Sequence, residues 1–347
     1  MRVLLTGSAG FIGSAVAVLL AREGHDVVPV DLMLPLAHGA AKPPDGTHSL
    51  DVRDAGGWGD LLRGVDVVCH QAAVVGAGVT VADLPAYAGH NDLGTAALLA
   101  AMHEAGVQRM VLASSMVVYG EGRYACPVHG DQVPTPRTVA ALDAGDFDNH
   151  CPRCGRPLGW RSVEESARLD PRSSYAASKV AQEHYTSAWV RQAGTAAVAL
   201  RYHNVYGPGM PRDTPYSGVA AMFRSSLERG EAPKVYEDGA QMRDFVHVTD
   251  VARANLAALR AVLERPESAY AAYNVCSGAP VSIKDVAELV AGGTGSGIEP
   301  VVTGSYRLGD VRHIVASPEL AAAELGFRAS VSPQEGLAEF AHAPLRA

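Results

Sequence analysis

In Ser174-Tyr175-Ala176-Ala177-Ser178-Lys179 a tyrosine and a lysine stand four residues apart, so on a helix they share one face. A free phenol has a pKa of about 10, but a nearby ammonium favours the phenolate, and a positively charged cofactor ring would favour it further. Such a tyrosinate can take a proton from a hydroxyl near neutral pH. A second chemical grouping is Cys126-Pro127-Val128-His129-Gly130 together with Cys151-Pro152-Arg153-Cys154-Gly155. Two pairs, each with two intervening residues and a following glycine, match a tetrahedral Cys₃His zinc site of Cys126, His129, Cys151 and Cys154. Four protein ligands leave no open position, which makes the metal structural. His150 is an alternative to His129, and four unmetallated residues in a loop are the plain alternative to both.

The elements that must position these residues alternate. Arg2 to Thr6 reads as a strand, followed by Gly7-Ser8-Ala9-Gly10-Phe11-Ile12-Gly13 and a helix from Ile12 to Arg22. Glycines there allow a tight turn and close approach of a pyrophosphate to the helix N-terminus. A second strand, Asp26 to Val30, ends at Asp31, where a carboxylate can accept from an adenosine ribose diol. No arginine follows closely to welcome a 2′-phosphate, so NAD is expected rather than NADP. The plainer readings are a tight turn and a capping aspartate. Further strands fall at Val65 to Cys69, Arg109 to Ser114 and Ala196 to Arg201, with a helix from Asn91 to Ala105. Alternation of this kind predicts an α/β fold, a Rossmann-type doubly wound parallel sheet with ligand at the strands' carboxyl ends.

The 347 residues, 48% hydrophobic and 19% charged, suit a globular enzyme. A net charge of −8 argues against a nucleic-acid partner. No apolar run of about 18 residues suggests a membrane span, and the chain enters a strand at once, so no signal peptide is expected and the address is cytoplasmic. Five cysteines, three of them in one segment, suit metal or free thiols better than disulfides. Cys69 and Cys276 read as core, and no nucleophile elbow of the Gly-x-Ser-x-Gly type stands at a strand end. Helices are expected at Asp250 to Val262, capped by Thr249, and at Ser282 to Val290, capped by Ser282. The chain beyond Phe340 reads as a frayed tail.

The glycine turn, Asp31, His70-Gln71-Ala72-Ala73, Ser114-Ser115 before Val118-Tyr119-Gly120, the Tyr175/Lys179 pair and Arg201-Tyr202-His203-Asn204-Val205-Tyr206-Gly207-Pro208 together resemble the extended short-chain dehydrogenase/reductase family. Its nucleotide-sugar epimerases and dehydratases are the most similar branch. The resemblance implies tightly bound NAD, with Asp51 and Val52 near the adenine, Ala72 and Ala73 near the phosphates and nicotinamide ribose, and Lys179 on that ribose. Asn91 joins this cofactor set. Ser115 would hydrogen-bond the reacting hydroxyl and Tyr175 would be the base. Asn204, Arg243, Arg307 and Asp310 would hold the nucleotide sugar, while Arg312 reads equally as binding or as a solvated surface charge. Residues 1–180 would form the NAD-binding domain, interrupted by the zinc knuckle at 121–163. Residues 181–347 would supply mainly a smaller C-terminal substrate lobe, with some segments returning to the sheet. A homodimer through the helices containing 91–105 and 174–192 is also implied.

Within that family, elimination needs an extra acid and base beside the catalytic serine, and here the matching positions are Met116 and Val117. The expectation is therefore a 4-epimerase that passes through a transient 4-keto sugar and returns the hydride, acting on a UDP-hexose. A 4,6-dehydratase, a reductase or dehydrogenase, and more remotely a non-catalytic NAD sensor are the alternatives. Pro211 and Arg212 stand where an arginine would meet a uronic acid one residue earlier, favouring a neutral sugar. Ile314 in place of a tyrosine suggests room at C2, and the 121–163 segment is expected to lie over the site entrance.

Overall fold

The computed structural model describes residues 1–76, 80–212 and 218–346. Seven parallel strands form its main sheet: β1 (Arg2–Thr6), β2 (Asp26–Asp31), β3 (His48–Ser49), β4 (Val67–His70), β5 (Arg109–Ser115), β6 (Ala196–Tyr202) and β7 (Ala269–Val275). Their order is β7-β6-β5-β4-β1-β2-β3. After β3 the chain crosses back to the other side of β1, opening a crevice at the carboxyl ends where the winding reverses. Strand residues bury alternate side chains against helices on opposite faces. Val3 and Leu5 join α1 (Phe11–Arg22) in one core, and Leu4 joins α2 (Gly94–Glu104) and α3 (Ser174–Ala193) in the other. Because both faces are covered, the strands read as continuous apolar runs. Cys69 and Cys276 are buried, as expected of core thiols.

β6 and β7 follow residue 180, as does α4 (Val248–Glu264), which packs on α1. The rest of the C-terminal part makes the smaller lobe, whose core gathers Tyr206, Phe223, Phe245 and Phe340. Residues 123–161 form a separate three-stranded antiparallel leaf of Gly130–Gln132, Arg123–Cys126 and Gly159–Arg161. Its main apolar cluster is Tyr124, Cys126, Cys151 and Leu158 with Trp160 against them, a small core for a segment of this length.

Several local expectations need correction. α4 begins at Val248 and its cap is the His247 imidazole, which accepts the Thr249 N–H, rather than Thr249 itself. Residues Ala88–Leu93 wind as a π-helix before α2 begins. The chain beyond Phe340 is pinned rather than frayed: the Gly209 N–H donates to the Pro344 carbonyl (2.7 Å), and Arg346 exchanges backbone bonds with Met210 (3.0 Å) and Arg212 (2.8 Å). Arg312 is neither a ligand-facing nor a surface charge. It is 2% exposed and ion-paired to Asp148, Glu237 and Asp238.

Candidate active site

The crevice holds a cavity of about 760 Å³ running from Asp31 past the glycine turn to Ser115 and Tyr175, then to Asn204 and Arg307. Gly7 has φ +67°, and a β-carbon there would lie 2.6 Å from the Ala72 nitrogen. One on Gly13 would lie 2.0 Å from the Gly7 carbonyl oxygen. Both approaches require glycine. The turn thus leaves the N-terminus of α1 open, with no side-chain cap and no acid in its first turn, a favourable place for an anion. Gly7, Gly10, Phe11, Ile12 and Gly13 all line the cavity.

At its far end Asp31 accepts from the Ala9 (3.0 Å) and Met33 (2.8 Å) N–H groups and meets His38 Nε2 at 3.3 Å. Burial raises its pKa, but His38 and the Met33 N–H outweigh this and hold the carboxyl below its usual range. Asp51 and Val52 also line the cavity, although the Asp51 carboxylate is chelated by Arg53 (2.9 and 2.5 Å). Ala72 and Ala73 line the middle, held by a relay that sequence reading missed. His70 bonds Thr6 Oγ1 at 2.7 Å and Thr95 Oγ1 at 3.1 Å, and Thr6 Oγ1 accepts the Ala72 N–H at 3.2 Å. Asn91 does not line the cavity. Its amide clamps both backbone polar groups of Val74 (2.8 and 2.9 Å) and donates to Ser178 Oγ, so it shapes the wall from behind.

Ser115 ends β5, and Tyr175 is the second residue of α3, behind the Ser173 cap. A Ser115 hydrogen bond pulls the Tyr175 phenol down, yet burial outweighs it and the Tyr87 ring, 5.8 Å away, adds to the rise. Lys179 donates to the Ala113 carbonyl at 2.9 Å with its Nζ 5.9 Å from the Tyr175 ring centroid. Burial lowers the lysine to about 7. Burial thus dominates the Tyr175 phenol in the protein alone, and the Ser115 hydrogen bond pulls it toward the phenolate.

Asn204 and Arg307 line the cavity. Arg243 and Asp310 do not. The Arg243 guanidinium donates to the carbonyls of Met242 (2.9 Å), Arg312 (3.0 Å) and Val311 (2.6 Å), fastening the 310–314 segment. The Asp310 carbonyl accepts from Arg137 (2.6 Å) in the inserted leaf, and burial raises its carboxyl. Ile314 is 1% exposed in a core with Val118, Tyr119 and Val163, so it cannot widen the pocket as expected. Arg212 pairs with Glu228 at 3.0 Å. The leaf lines none of the cavity. It is a buttress behind the 310–313 segment, joined through Arg137, Asp148 and Tyr124, rather than a lid over the entrance.

Within the leaf, the ligand atoms of Cys126, His129, Cys151 and Cys154 lie within 4.8 Å of one another, with His129 and not His150 in the group. Cys126 Sγ is 3.7 Å from Cys154 Sγ and 3.7 Å from His129 Nδ1, and Cys151 Sγ is 3.4 Å from that nitrogen. A tetrahedral zinc with Zn–S about 2.3 Å and Zn–N about 2.0–2.1 Å requires S···S near ~3.75 Å and S···N near ~3.6 Å. These three separations lie close to the tetrahedral values, and the four residues are of the types that could hold a zinc ion.

Comparison with known proteins agrees with this geometry. The NAD dependent epimerase/dehydratase family model matches residues 3–139 and 155–276, and the gap falls inside the leaf. A dTDP-L-rhamnose 4-epimerase of Burkholderia thailandensis is 34% identical over 350 residues, covering 97% of this chain and 93% of that protein. The crystal structure of Thermus thermophilus UDP-glucose 4-epimerase complexed with NAD superposes with a TM-score of 0.75 at 32% identity, covering 98% of each chain. DesIV, a dTDP-glucose 4,6-dehydratase of Streptomyces venezuelae with NAD bound, gives 0.74 at 26% identity, covering 98% of this chain and 96% of that one.

Proposed function

This chain belongs to the NAD-dependent epimerase/dehydratase family and is an NAD-dependent nucleotide-sugar epimerase, and from that premise we propose that it is a 4-epimerase acting on a neutral nucleotide-diphospho-hexose, UDP-linked in the first instance. The observation that carries this choice is the charge inventory of the cavity. Among the described residues that line it the only carboxylates are Asp31 and Asp51, both at the adenosine end. Around Ser115 and Tyr175 stand Met116, Lys179 and His203 instead. Elimination of a C6 hydroxyl needs a further acid and base at the reacting carbons, and none of the described lining residues there is a carboxylate.

NAD⁺ held along the glycine turn supplies a hydride acceptor that can return the hydride within the same site. The chain's own work is proton transfer and positioning. Tyr175 takes the proton of the sugar 4-hydroxyl, and Ser115, hydrogen-bonded to Tyr175, shares the oxygen as charge develops. Lys179, anchored on the Ala113 carbonyl, fixes the geometry beneath them. Arg307 and Asn204 grip the remote part of the substrate, so the 4-keto ring can turn while the nucleotide stays held. Arg212 pairs with Glu228 and does not line the cavity, which favours a neutral sugar over a uronic acid.

The Cys₃His cluster holds a structural zinc in this reading, and its three thiols suit a reducing, cytoplasmic setting. No helix among the described residues is long and apolar enough to cross a membrane. A homodimer would pair α3 with α2 and the π-helical turn before it, where Tyr185 and Leu93 are exposed. The deciding experiment incubates the NAD-containing protein with UDP-, dTDP- and GDP-hexoses and reads products by NMR. C4 epimers without net NADH support the proposal; a 4-keto-6-deoxy product refutes it.

A further inference from the structure

The C-terminal strap brings a cation to the glycine turn that no local motif encodes. Leu345 and Ala343 pack on the small-lobe core, and Arg224 donates to the carbonyls of Phe340 (2.9 Å) and Ala343. With the backbone bonds to Gly209, Met210 and Arg212, this fixes the last described residue, Arg346. Its side chain spans from the small lobe to the nucleotide domain, where Nη1 donates to the Ala9 carbonyl at 2.7 Å. Its Nε is buried with no partner, although a guanidinium out of water needs one. Among the described residues no carboxylate is paired with it, and burial pulls its pKa down against the distant pull of Asp31. Ala9 immediately precedes Gly10, the residue before α1, where no side chain caps the helix, and Arg346 lines the same cavity as Gly10 and Phe11. Free N–H groups, the positive end of a helix and an unpaired guanidinium thus converge on one volume.

We propose that Arg346 is a binding residue for the diphosphate of the bound dinucleotide, reaching it from the C-terminal strap and so tying the two lobes across the cofactor. A guanidinium fork suits paired phosphate oxygens. This rests on the reading of the cavity as an NAD site, but its test uses no sugar nucleotide and stands whichever sugar product forms. NAD, ADP, adenosine and NADP are titrated by calorimetry into full-length protein freed of nucleotide, as wild type and as Arg346→Gln. Loss of a charge-assisted contact should weaken NAD and ADP about tenfold or more, while adenosine changes less than about twofold. Equal weakening of adenosine would mean only that the strap has shifted, and would overturn the proposal. Unchanged NAD affinity, or a loss confined to NADP, would overturn it as well. If the glutamine variant does not fold, Arg346→Lys serves: retention of most of the ADP affinity supports a charge contact, and a loss of about tenfold refutes it.

Discussion

Replacing Arg312 by methionine keeps most of the side chain's bulk and removes the charge that joins the inserted leaf to the substrate lobe. The guanidinium, 2% exposed, binds Asp148 (3.0 Å), Glu237 (3.0 Å) and Asp238 (2.7 and 2.8 Å). Asp148 and Asp238 are about half exposed and can turn to water, but Glu237 is 2% exposed. Breaking a buried pair costs about 3–5 kcal/mol. Here Glu237 keeps Arg137 at 2.8 Å, which places the loss near the lower bound, about 3 kcal/mol. With roughly 2.1 cal/mol/K of unfolding entropy per residue, 347 residues give about 0.7 kcal/mol/K, so the melting temperature should fall by about 4 °C. Arg312 also stands five residues beyond the cavity-lining Arg307. Loosening its segment should raise KM for the sugar nucleotide while leaving NAD retention untouched. Differential scanning calorimetry and steady-state kinetics read both effects, and Asp148→Asn, which leaves Glu237 with both arginines, should shift stability by less than about 1 kcal/mol. A melting point within about 1 °C of wild type, or a loss of NAD with KM unchanged, would refute the buttress.

Tyr175→Phe should lower kcat by about 10²–10⁴ with bound NAD retained; near-normal turnover would remove it as the base. Protein never exposed to chelator should carry close to one zinc by elemental analysis, and Cys151→Ser should lose both the metal and the leaf's resistance to proteolysis. Burial holds His70 down to about 3 against an ordinary 6.5. The unfolded chain therefore binds the extra proton between those values, so stability is full above pH 6.5 and falls as pH drops toward 3, by up to ~1.4 kcal/mol per pH unit. Urea midpoints at pH 7 and pH 5 should show that slope, reduced in His70→Gln; an unchanged slope would assign it to other groups.

The sheet was legible because its determinants are local. A buried parallel strand must be apolar throughout, a glycine turn must contain glycine, and Tyr175 with Lys179 shares a face through helical spacing alone. What escaped reading depends on residues far apart in sequence. Arg312 lies in the same Arg307 to Arg312 stretch that suggests a ligand site, and only the meeting of Asp148 with Glu237 and Asp238 turns it into a buried ion-pair hub. Arg243 likewise has the right residue type, but three carbonyls of the 311–312 and 242 backbone take its donors. Asn91, which the resemblance puts in the cofactor set, instead holds the backbone of Val74 behind the cavity wall. Ile314 and the strap at Arg346 fail the same way, one reading as a pocket wall and the other as a loose end. For Arg312, Arg243 and Asn91 the residue type is legible and the partner is not, because tertiary packing decides which of several available acceptors a guanidinium or amide meets. The metal cluster marks the boundary between the two regimes: the spacing within each Cys/His pair is local and visible, whereas the approach of the two pairs to zinc-compatible distances needs the fold of the leaf. Arg137 and Asp148 of the leaf bond the segment that carries Asp310 and Arg312, so a zinc that ordered the leaf would also stiffen the smaller lobe.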